Sequence, residues 1–302
     1  MILFTHNDLD AVGCEICIRA ARAKIDRVFH EDYATFTQTV SEIIAFSAKN
    51  NIDNIIVADL SFAEHQDCLQ RLVSHFKTVI HIDHHSYPEN FYVKHNGNLH
   101  QVIDPSRCAC RICYDEFKLK NQYIRVLTDV IDKFDRWVEN DRLFKFAFDL
   151  NAYFWKVGYQ EFLYEFTTGF PKTLNNEIKA IREETTKGLQ ELRAAGRIMK
   201  AGKTTIQVGD RYFMQSVIDE YERGQAGYIC ILNSSLRVRL SQRYFDTETA
   251  SKLRCSITGS VTGHPHAFSY PFNGSKGSKD KLFEEINRVS GLINTCAENQ
   301  GK

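Results

Sequence analysis

The sequence has 302 residues, enough for two ordinary domains that each bury a core. Lysine plus arginine and aspartate plus glutamate both number 38, so the formal net charge is zero and excludes long-range attraction of long duplex nucleic acid. The N-terminus lacks the pattern of a secretory leader, and no stretch reaches the roughly 18 apolar residues of a membrane helix, so we expect a cytoplasmic protein without a membrane partner.

The nine cysteines do not describe a disulfide framework, because their number is odd and the chain is long. Two groups stand out, Cys14 with Cys17, and Cys108 with Cys110 and Cys113. Neither group has a second ligand pair at the spacing of a zinc finger. We therefore expect reduced thiols that pack as small buried side chains.

The first half of the chain alternates between strand-like and helix-like patterns. Short apolar runs at residues 1–4, 55–58 and 79–82 predict buried strands. Helical spacing of apolar residues occurs at 40–47, 68–76, 109–119 and 123–131. Strands that alternate with helices predict an α/β fold with a parallel sheet.

The second half begins with a long amphipathic helix at residues 171–200, with charges on one side and leucine or isoleucine on the other. Strand patterns at 204–208 and 228–232 follow, with a helix near 216–223 between them. These patterns predict three parts: a parallel-sheet α/β domain at 1–170, a connecting helix at 171–202, and a smaller mixed α/β domain at 203–302.

Acidic and histidine residues follow each strand-like run in the first half. In a parallel sheet the carboxyl ends of the strands lie along one edge, so these groups are expected to converge. The helix at 123–131 then supplies further carboxylates in the segment VIDKFDRW. The candidate residues are His6, Asp8, Asp10, Asp59, Asp83, His84, His85, Asp132 and Asp135.

Several carboxylates in one crevice repel one another unless cations lie among them. Two divalent metal ions balance four ionised aspartates, and imidazoles beside oxygen ligands favour manganese or iron over calcium. Considered alone, Asp59 also fits a helix N-cap. His81 alternates with Ile80 and Ile82, and we interpret it as a packed or surface histidine.

The segments HNDLDAVGC, VADLSF, IDHH and VIDKFD resemble, in order, the four N-terminal motifs of the DHH phosphoesterases, and they cover residues 1 to about 140. Within that family the chain is similar to the nanoRNases, which degrade short oligoribonucleotides. The resemblance implies two domains, the first of DHH type and the second of DHHA1 type. It also implies catalysis by two metal ions, for which we expect manganese, two ions per chain, with other divalent metals as alternatives.

Carried over by position, the resemblance implies that His6, Asp8 and Asp59 hold one metal ion. The other ion is implied to bind Asp10, Asp59, His84 and Asp132, so that Asp59 bridges the two. Asp83 is expected to orient a histidine ring, and His85 to face the scissile phosphate. Two-residue spacing predicts that Asp8 and Asp10 share one side of an extended strand end.

Two positions depart from the family pattern. Ala11 stands where relatives often carry glycine, which affects backbone freedom but no ligand. Asp135 competes with Asp132 for the fourth motif, and we prefer Asp132 because it directly follows the apolar pair Val130 and Ile131.

The second domain is expected to bind the substrate. Family members carry a glycine-rich stretch that ends in histidine, and GSVTGHPHAFS is a partial match that offers Gly263, His264 and His266. The nearby LRVRLSQR offers Arg239 and Arg243 for phosphate oxygens, and alternation places Arg237, Arg239 and Ser241 on one strand face. A solvated strand face explains these arginines equally well.

The combined prediction is a phosphodiesterase that cleaves short single-stranded oligonucleotides or dinucleotides to nucleoside monophosphates, with a homodimer left open. Alternatives are a phosphodiesterase for cyclic or linear signalling dinucleotides and a single-strand exonuclease. A pyrophosphatase is a more distant option, disfavoured because the histidine of the first motif precedes Asp8 by two residues and not by four. A catalytically silent nucleotide-binding module is the non-enzymatic alternative, although every ligand position of the motifs is filled.

Overall fold

The computed structural model describes residues 1–31, 35–208, 217–218, 224–232, 235–241, 243–259, 266–271 and 279–300. The chain divides into two compact units, Met1–Asn175 and Asn176–Lys302. The elements of the first unit are β1 (Ile2–Thr5), α1 (Leu9–Ala20), β2 (Arg27–His30), α2 (Phe36–Asn50), β3 (Asn54–Ala58), α3 (Gln66–His75), β4 (Thr78–Asp83), β5 (Leu99–Ile103), α4 (Ala109–Glu116), α5 (Gln122–Asp135), α6 (Phe144–Val157) and α7 (Tyr159–Phe166).

The sheet of the first unit is parallel throughout, in the order β2-β1-β3-β4-β5. The chain runs from β1 outward to β2 and then crosses back to place β3 on the other side of β1. The sheet therefore has a topological switch point between β1 and β3, the position at which such sheets bind ligands. The carboxyl ends of these two strands lead directly into the first two candidate motifs.

The central strands form because their apolar runs are buried on both faces, as is typical of a parallel sheet. Every residue of β1 is buried, as are the last four residues of β3. Phe4, Val57 and Val79 pack with Val40 of α2 and Leu72 of α3 in one hydrophobic cluster. The predicted α/β fold class with a parallel sheet is confirmed.

Helices α1 and α4 approach closely at Gly13. A β-carbon at this position would lie 2.8 Å from Cβ of Cys110 and 2.8 Å from Cδ1 of Ile131. The five cysteines singled out in the sequence are buried free thiols, as expected; Cys14, Cys17 and Gly13 lie on α1, and Cys108, Cys110 and Cys113 lie at α4. This close packing brings the start of α1 to the start of α4.

The remaining elements are α8 (Leu174–Ala194), β6 (Ile198–Ala201), β7 (Thr204–Val208), β8 (Gly227–Leu232), β9 (Ser235–Leu240), α9 (Thr247–Thr258), β10 (Ala267–Pro271) and α10 (Lys279–Asn299). The strands of the second unit form a mixed sheet in the order β10-β9-β8-β7-β6, in which only the β7–β8 pair is parallel among the described strands. Its hydrophobic cluster joins Ile206, Ile229 and Val238 of the sheet to Val289 and Ile293 of α10.

The helix predicted over 171–200 ends earlier than expected. Gly196 has φ +67°, and the Arg197 N–H bonds to the carbonyl of Leu192, which is the pattern of a glycine-terminated helix. Residues Ile198–Ala201 then form β6.

Of the helix predicted at 216–223, residues 217–218 are helical and the others lie outside the described residues. Among the helices that the structure describes, we find none long and apolar enough to cross a membrane.

Candidate metal centre

The first motif follows β1 and begins α1. Asp8 is the N-cap of α1, where its Oδ1 accepts a hydrogen bond from the Ala11 N–H at 3.0 Å. Its Oδ2 lies 2.8 Å from Nδ1 of His6. The expectation of an extended strand end is wrong here, because β1 ends at Thr5 and Asp10 lies in the first turn of α1.

Asp10 connects α1 to the start of α4. It is 2% exposed, and its two oxygens accept hydrogen bonds from the N–H groups of Ala109 at 2.7 Å and Cys110 at 2.8 Å. The amino end of a helix carries partial positive charge, which stabilises the carboxylate form. These bonds fix the orientation of the Asp10 carboxylate, which also lies in one ligand group with His84.

Asp59 directly follows β3 in a conformation that a non-glycine residue adopts at a cost. Its φ is +57°, and its N–H donates to the carbonyl of Ile82 at 3.0 Å. Asp59 is not the cap of the following helix, because α3 begins seven residues later with His65 as its N-cap. The helix-cap interpretation is therefore excluded, and the strain at Asp59 is typical of a functional position.

The third motif ends β4 and begins the turn after it. The Asp83 side chain is fully buried, and its Oδ1 accepts from the His84 N–H at 2.8 Å and from Nδ1 of His85 at 2.7 Å. Its Oδ2 accepts from the hydroxyl of Tyr87 at 2.6 Å. The sequence analysis missed Tyr87, because one tyrosine after the DHH motif carries no recognisable pattern. Asp83 thus holds the ring of His85.

These motifs converge around Asp59 and His84. Nε2 of His84 lies 3.3 Å from Oδ1 of Asp59, and Nδ1 of His84 lies 3.4 Å from Oδ2 of Asp135. Among the described residues, four overlapping groups each offer ligand atoms within 4.8 Å of one another: His6, Asp8 and Asp59; Asp10, His84 and Asp135; Asp59, Asp83, His84 and His85; and Asp10, Cys108 and Cys110.

Asp132 belongs to none of the ligand groups that the described residues form. Its Oδ1 accepts from the Cys108 N–H at 2.9 Å, and its Oδ2 lies 3.2 Å from Nζ of Lys133 and 3.7 Å from a guanidinium nitrogen of Arg136. Those contacts neutralise Asp132 without a metal ion. The geometry therefore favours Asp135 over the preferred Asp132 as the carboxylate of the fourth motif.

The clustered carboxylates disfavour one another's charge. Burial raises the pKa of Asp59 well above its ordinary value, and repulsion from Asp8 and Asp10 raises it further. Burial also raises the pKa of Asp10, and it raises the pKa of Asp135 to about 7. Bound cations would relieve this repulsion.

The carboxylates and the neighbouring histidines stabilise each other's charged forms. Burial alone would lower the pKa of His84, but the negative charges of Asp135 and Asp10 outweigh it and raise the pKa above the ordinary value. Burial opposes ionisation of Asp8 as well, yet the hydrogen bond and charge of His6 keep that pKa below its ordinary value. The cluster therefore attracts positive charge at its centre.

The residues present fit divalent metal ions. Oδ2 of Asp59 and Oδ2 of Asp135 are buried and accept no hydrogen bond from any residue that the structure describes. A buried carboxylate oxygen that accepts no hydrogen bond is costly, and a cation removes that cost; the 3.4 Å ion pair with Nδ1 of His84 is the contact given for Oδ2 of Asp135. Carboxylates with imidazoles are ligands that suit manganese, iron or zinc. Burial raises the pKa of the nearby thiols of Cys108 and Cys110, which keeps them protonated.

The substrate-binding candidates of the second unit have different environments. Gly263 and His264 lie outside the described residues. The prediction that His266 contacts substrate is corrected, because its side chain is 1% exposed and its Nε2 bonds to the Phe245 carbonyl at 3.1 Å. On β9, Arg239 is buried whereas Arg237 is exposed, and Arg243 beyond the strand is exposed.

Comparison with known proteins rests on structure alone, since no protein-family model and no curated protein matches the sequence. The pGpG-specific phosphodiesterase PggH from Vibrio cholerae aligns with TM-score 0.57 and 11% identity, over 97% of this chain and 99% of that one. RecJ from Thermus thermophilus aligns with TM-score 0.48 and 12% identity, over 99% of this chain and 50% of that one. CDC45 from Entamoeba histolytica aligns with TM-score 0.47 and 9% identity, over 99% of this chain and 95% of that one.

The alignment with PggH covers both units of the chain and nearly all of the other protein. At this low identity the similarity establishes the fold. The chain has the fold of the DHH phosphoesterases, as its four motifs implied.

Proposed function

We propose that this protein is a divalent-metal-dependent phosphodiesterase that hydrolyses short oligonucleotides, dinucleotides included, to nucleoside monophosphates. The observation that carries the proposal is the set of overlapping ligand groups that share Asp59 and His84. The set lies beside the switch point of a parallel sheet, where α/β proteins bind ligands. The fold of PggH, which is named for action on pGpG, supports a nucleotide phosphodiester as substrate.

In this proposal His6, Asp8 and Asp59 hold one ion, and Asp10, Asp59, His84 and Asp135 hold the other. Asp135 takes the place that the motif comparison gave to Asp132. Four carboxylates balance the charge of two divalent ions, and we propose manganese. When bound, such ions supply Lewis acidity and lower the pKa of a water molecule.

The remaining residues act on orientation and proton transfer. Asp83 accepts the Nδ1–H of His85, so Nε2 is the ring nitrogen through which His85 reaches a substrate. The His85 side chain is 39% exposed, which leaves it accessible to a phosphodiester. We assign His85 in its doubly protonated form, with the Nδ1 proton held by Asp83, the role of giving its Nε2 proton to the departing nucleoside oxygen.

We also propose that the second unit binds the phosphate or the terminal nucleotide of the substrate. The exposed Arg243 suits phosphate oxygens, and Gly263 and His264 remain candidates from the sequence. Arg239 is buried, which favours a role in the fold of β9 over direct contact. The zero net charge favours short substrates, because long-range attraction is weak.

A second candidate function is a phosphodiesterase dedicated to linear signalling dinucleotides. The specific observation in its favour is the structural similarity to PggH over nearly the whole of both chains. The two functions share the chemistry and differ in the length of the substrate that the protein accepts.

The test is hydrolysis of a substrate panel by purified protein with manganese. The panel contains pGpG, pApA, RNA of five and 24 nucleotides, single-stranded DNA of the same lengths, a cyclic dinucleotide and pyrophosphate. We expect dinucleotides and five-nucleotide RNA to yield mononucleotides, and we expect Asp59→Asn and chelator-treated protein to yield none. Cleavage of pGpG alone would support the second candidate. Absence of cleavage across the nucleotides would contradict both.

A further inference from the structure

One tyrosine hydroxyl links the second motif to the third. The hydroxyl of Tyr87 donates to Oδ2 of Asp83 at 2.6 Å, and it accepts from the Phe62 N–H at 3.0 Å. Phe62 belongs to the loop that follows β3 and begins with Asp59. Asp83 belongs to the segment that carries His84 and His85. The hydroxyl therefore lies between the two segments that supply the shared residues of the candidate centre.

The distances define the direction of these hydrogen bonds. A tyrosine hydroxyl has one proton to donate, and the short bond to the buried carboxylate of Asp83 takes it. The Leu60 carbonyl lies farther from the hydroxyl, at 3.4 Å, and accepts instead from Nε2 of His81 at 3.1 Å. Nδ1 of His81 then accepts from the Gln101 amide at 2.9 Å. Every donor in this chain of bonds has its own acceptor.

Both oxygens of Asp83 are thereby fixed from different sides. Oδ1 holds Nδ1 of His85 and the His84 N–H, whereas Oδ2 is held by Tyr87. Without the hydroxyl the carboxylate is held only through Oδ1 by the bonds to His84 and His85, so we expect it to turn about its bond to Cβ and the His85 ring to move with it. The Phe62 N–H would also lose its acceptor, which loosens the loop that begins at the strained Asp59.

We propose that Tyr87 is a positioning residue that sets the orientation of His85 through Asp83 and aligns the Asp59 loop with it. The inference rests on the proposed function, in which His85 and Asp59 act on the phosphodiester. Tyr87 itself touches neither substrate nor metal ion in this account. It is expected to affect the turnover step and to leave substrate affinity intact.

Tyr123 offers a matched control. Its hydroxyl is also partly buried and donates to a backbone carbonyl, that of Phe166, at 2.8 Å. Tyr123 lies near the start of α5, whereas the fourth-motif carboxylates lie at the other end of that helix. Removal of the Tyr123 hydroxyl deletes this one partly buried hydrogen bond, whereas removal of the Tyr87 hydroxyl deletes its bonds to Asp83 and from the Phe62 N–H. Only Tyr87 is bonded to a residue of the candidate centre.

The experiment compares Tyr87→Phe with Tyr123→Phe in the full chain loaded with manganese. We expect Tyr87→Phe to lower kcat for pGpG by about tenfold or more, the range typical of residues that orient ligands, with KM within twofold of wild type. Tyr123→Phe is expected to leave both constants near wild type. Wild-type kcat in Tyr87→Phe, or equal losses in both variants, would overturn the proposal.

A spectroscopic readout separates this inference from the proposed function. In metal-free protein labelled with nitrogen-15 at histidine, the wild-type His85 ring is expected to show a proton fixed on Nδ1, and Tyr87→Phe is expected to shift the resonances of this ring. This readout needs no activity, so it decides the role of Tyr87 even where wild-type protein cleaves nothing and the proposed function fails. Unchanged His85 resonances in a folded Tyr87→Phe protein would overturn the proposal.

A second variant covers the case in which Tyr87→Phe does not fold. Replacement of Tyr87 by 3-fluorotyrosine keeps the ring and the hydroxyl but makes the phenol a stronger donor. We expect kcat to be retained and the His85 ring resonances to shift. Resonances that match those of wild type would contradict the inference.

Discussion

The choice between Asp135 and Asp132 leads to a prediction about stability as well as metal binding. We expect Asp135→Asn to make the metal-free protein more stable than wild type at pH 8. Burial raises the pKa of Asp135 from 3.8 to about 7, and its side chain is 21% exposed. Its charge therefore weakens the folded state wherever the carboxylate is ionised.

The direction in which stability changes with pH follows from the number of protons that the folded and unfolded states bind. Between pH 4 and pH 7 the folded protein keeps a proton on Asp135 that the unfolded chain has released, so stability falls as pH rises. The raised pKa of His84 acts in the same direction. One pH unit corresponds to about 1.4 kcal/mol, so a shift of about three units amounts to roughly 4 kcal/mol. This value is an upper limit, because protonation of Asp59 relieves the same repulsion.

The assay is urea unfolding of wild type, Asp135→Asn and Asp132→Asn in chelator at pH 5 and pH 8. Relative to wild type, the free energy of unfolding of Asp135→Asn is expected to rise by up to roughly 3 kcal/mol between pH 5 and pH 8. About two pH units of this range, from pH 5 to pH 7, lie below the raised pKa of Asp135. Asp132→Asn is expected to lose about 1–2 kcal/mol, because its charge pairs with Lys133 and Arg136.

Manganese binding by calorimetry completes the test. Asp135→Asn is expected to weaken binding at least tenfold, and Asp132→Asn is expected to weaken it less. The reverse order of the two variants, or a metal-free Asp135→Asn protein that is less stable than wild type at pH 8, would refute the assignment of Asp135 as a ligand.

Three further predictions concern other parts of the chain. Asp59→Asn should lower manganese affinity more than Asp83→Asn, because Asp59 belongs to two ligand groups that the described residues form; equal affinities by calorimetry would contradict this. Gly13→Ala should lose about 1–3 kcal/mol in urea unfolding, since its β-carbon would meet Cys110 at 2.8 Å; an unchanged midpoint would show that α1 and α4 adjust freely. Arg243→Ala should reduce kcat/KM for pGpG several-fold and spare a bis-nitrophenyl phosphate, whereas equal losses would assign Arg243 to the fold.

The central strands were predictable because β1, β3 and β4 carry apolar runs that parallel strands need when both faces are covered. Strands β2 and β5 were missed. They are the edge strands of the sheet, and their segments RVFH and LHQVI mix polar with apolar residues because much of their surface remains accessible. Short edge strands of this kind resemble loops in a single sequence.

The convergence of Asp59 with His84 was predictable from sheet topology, since both residues follow the carboxyl ends of neighbouring strands. The choice between Asp132 and Asp135 was not. The two residues lie three positions apart on α5, so helical periodicity places them on adjoining parts of one face. What separates them is the position of Lys133, Arg136 and the Cys108 N–H, which depends on how α5 packs against α4.

The contacts of Tyr87 could not be predicted from the sequence either. Its bond to Asp83 depends on the path of the turn after β4, and its bond to Phe62 depends on the path of the loop after β3. Neither path follows from apolar periodicity, because both segments are irregular. Long-range contacts between loops are the part of a site that sequence patterns describe least well.

The carboxylates and histidines around Asp59 are proposed to bind the metal ions that hydrolysis of a phosphodiester requires. This role is tested by the rate of pGpG cleavage by metal-free protein as manganese is added back, with the bound manganese counted in the same samples. We expect no cleavage without metal and a rate that saturates when two ions are bound per chain. Full cleavage by the metal-free protein, or no cleavage with two ions bound, would contradict it.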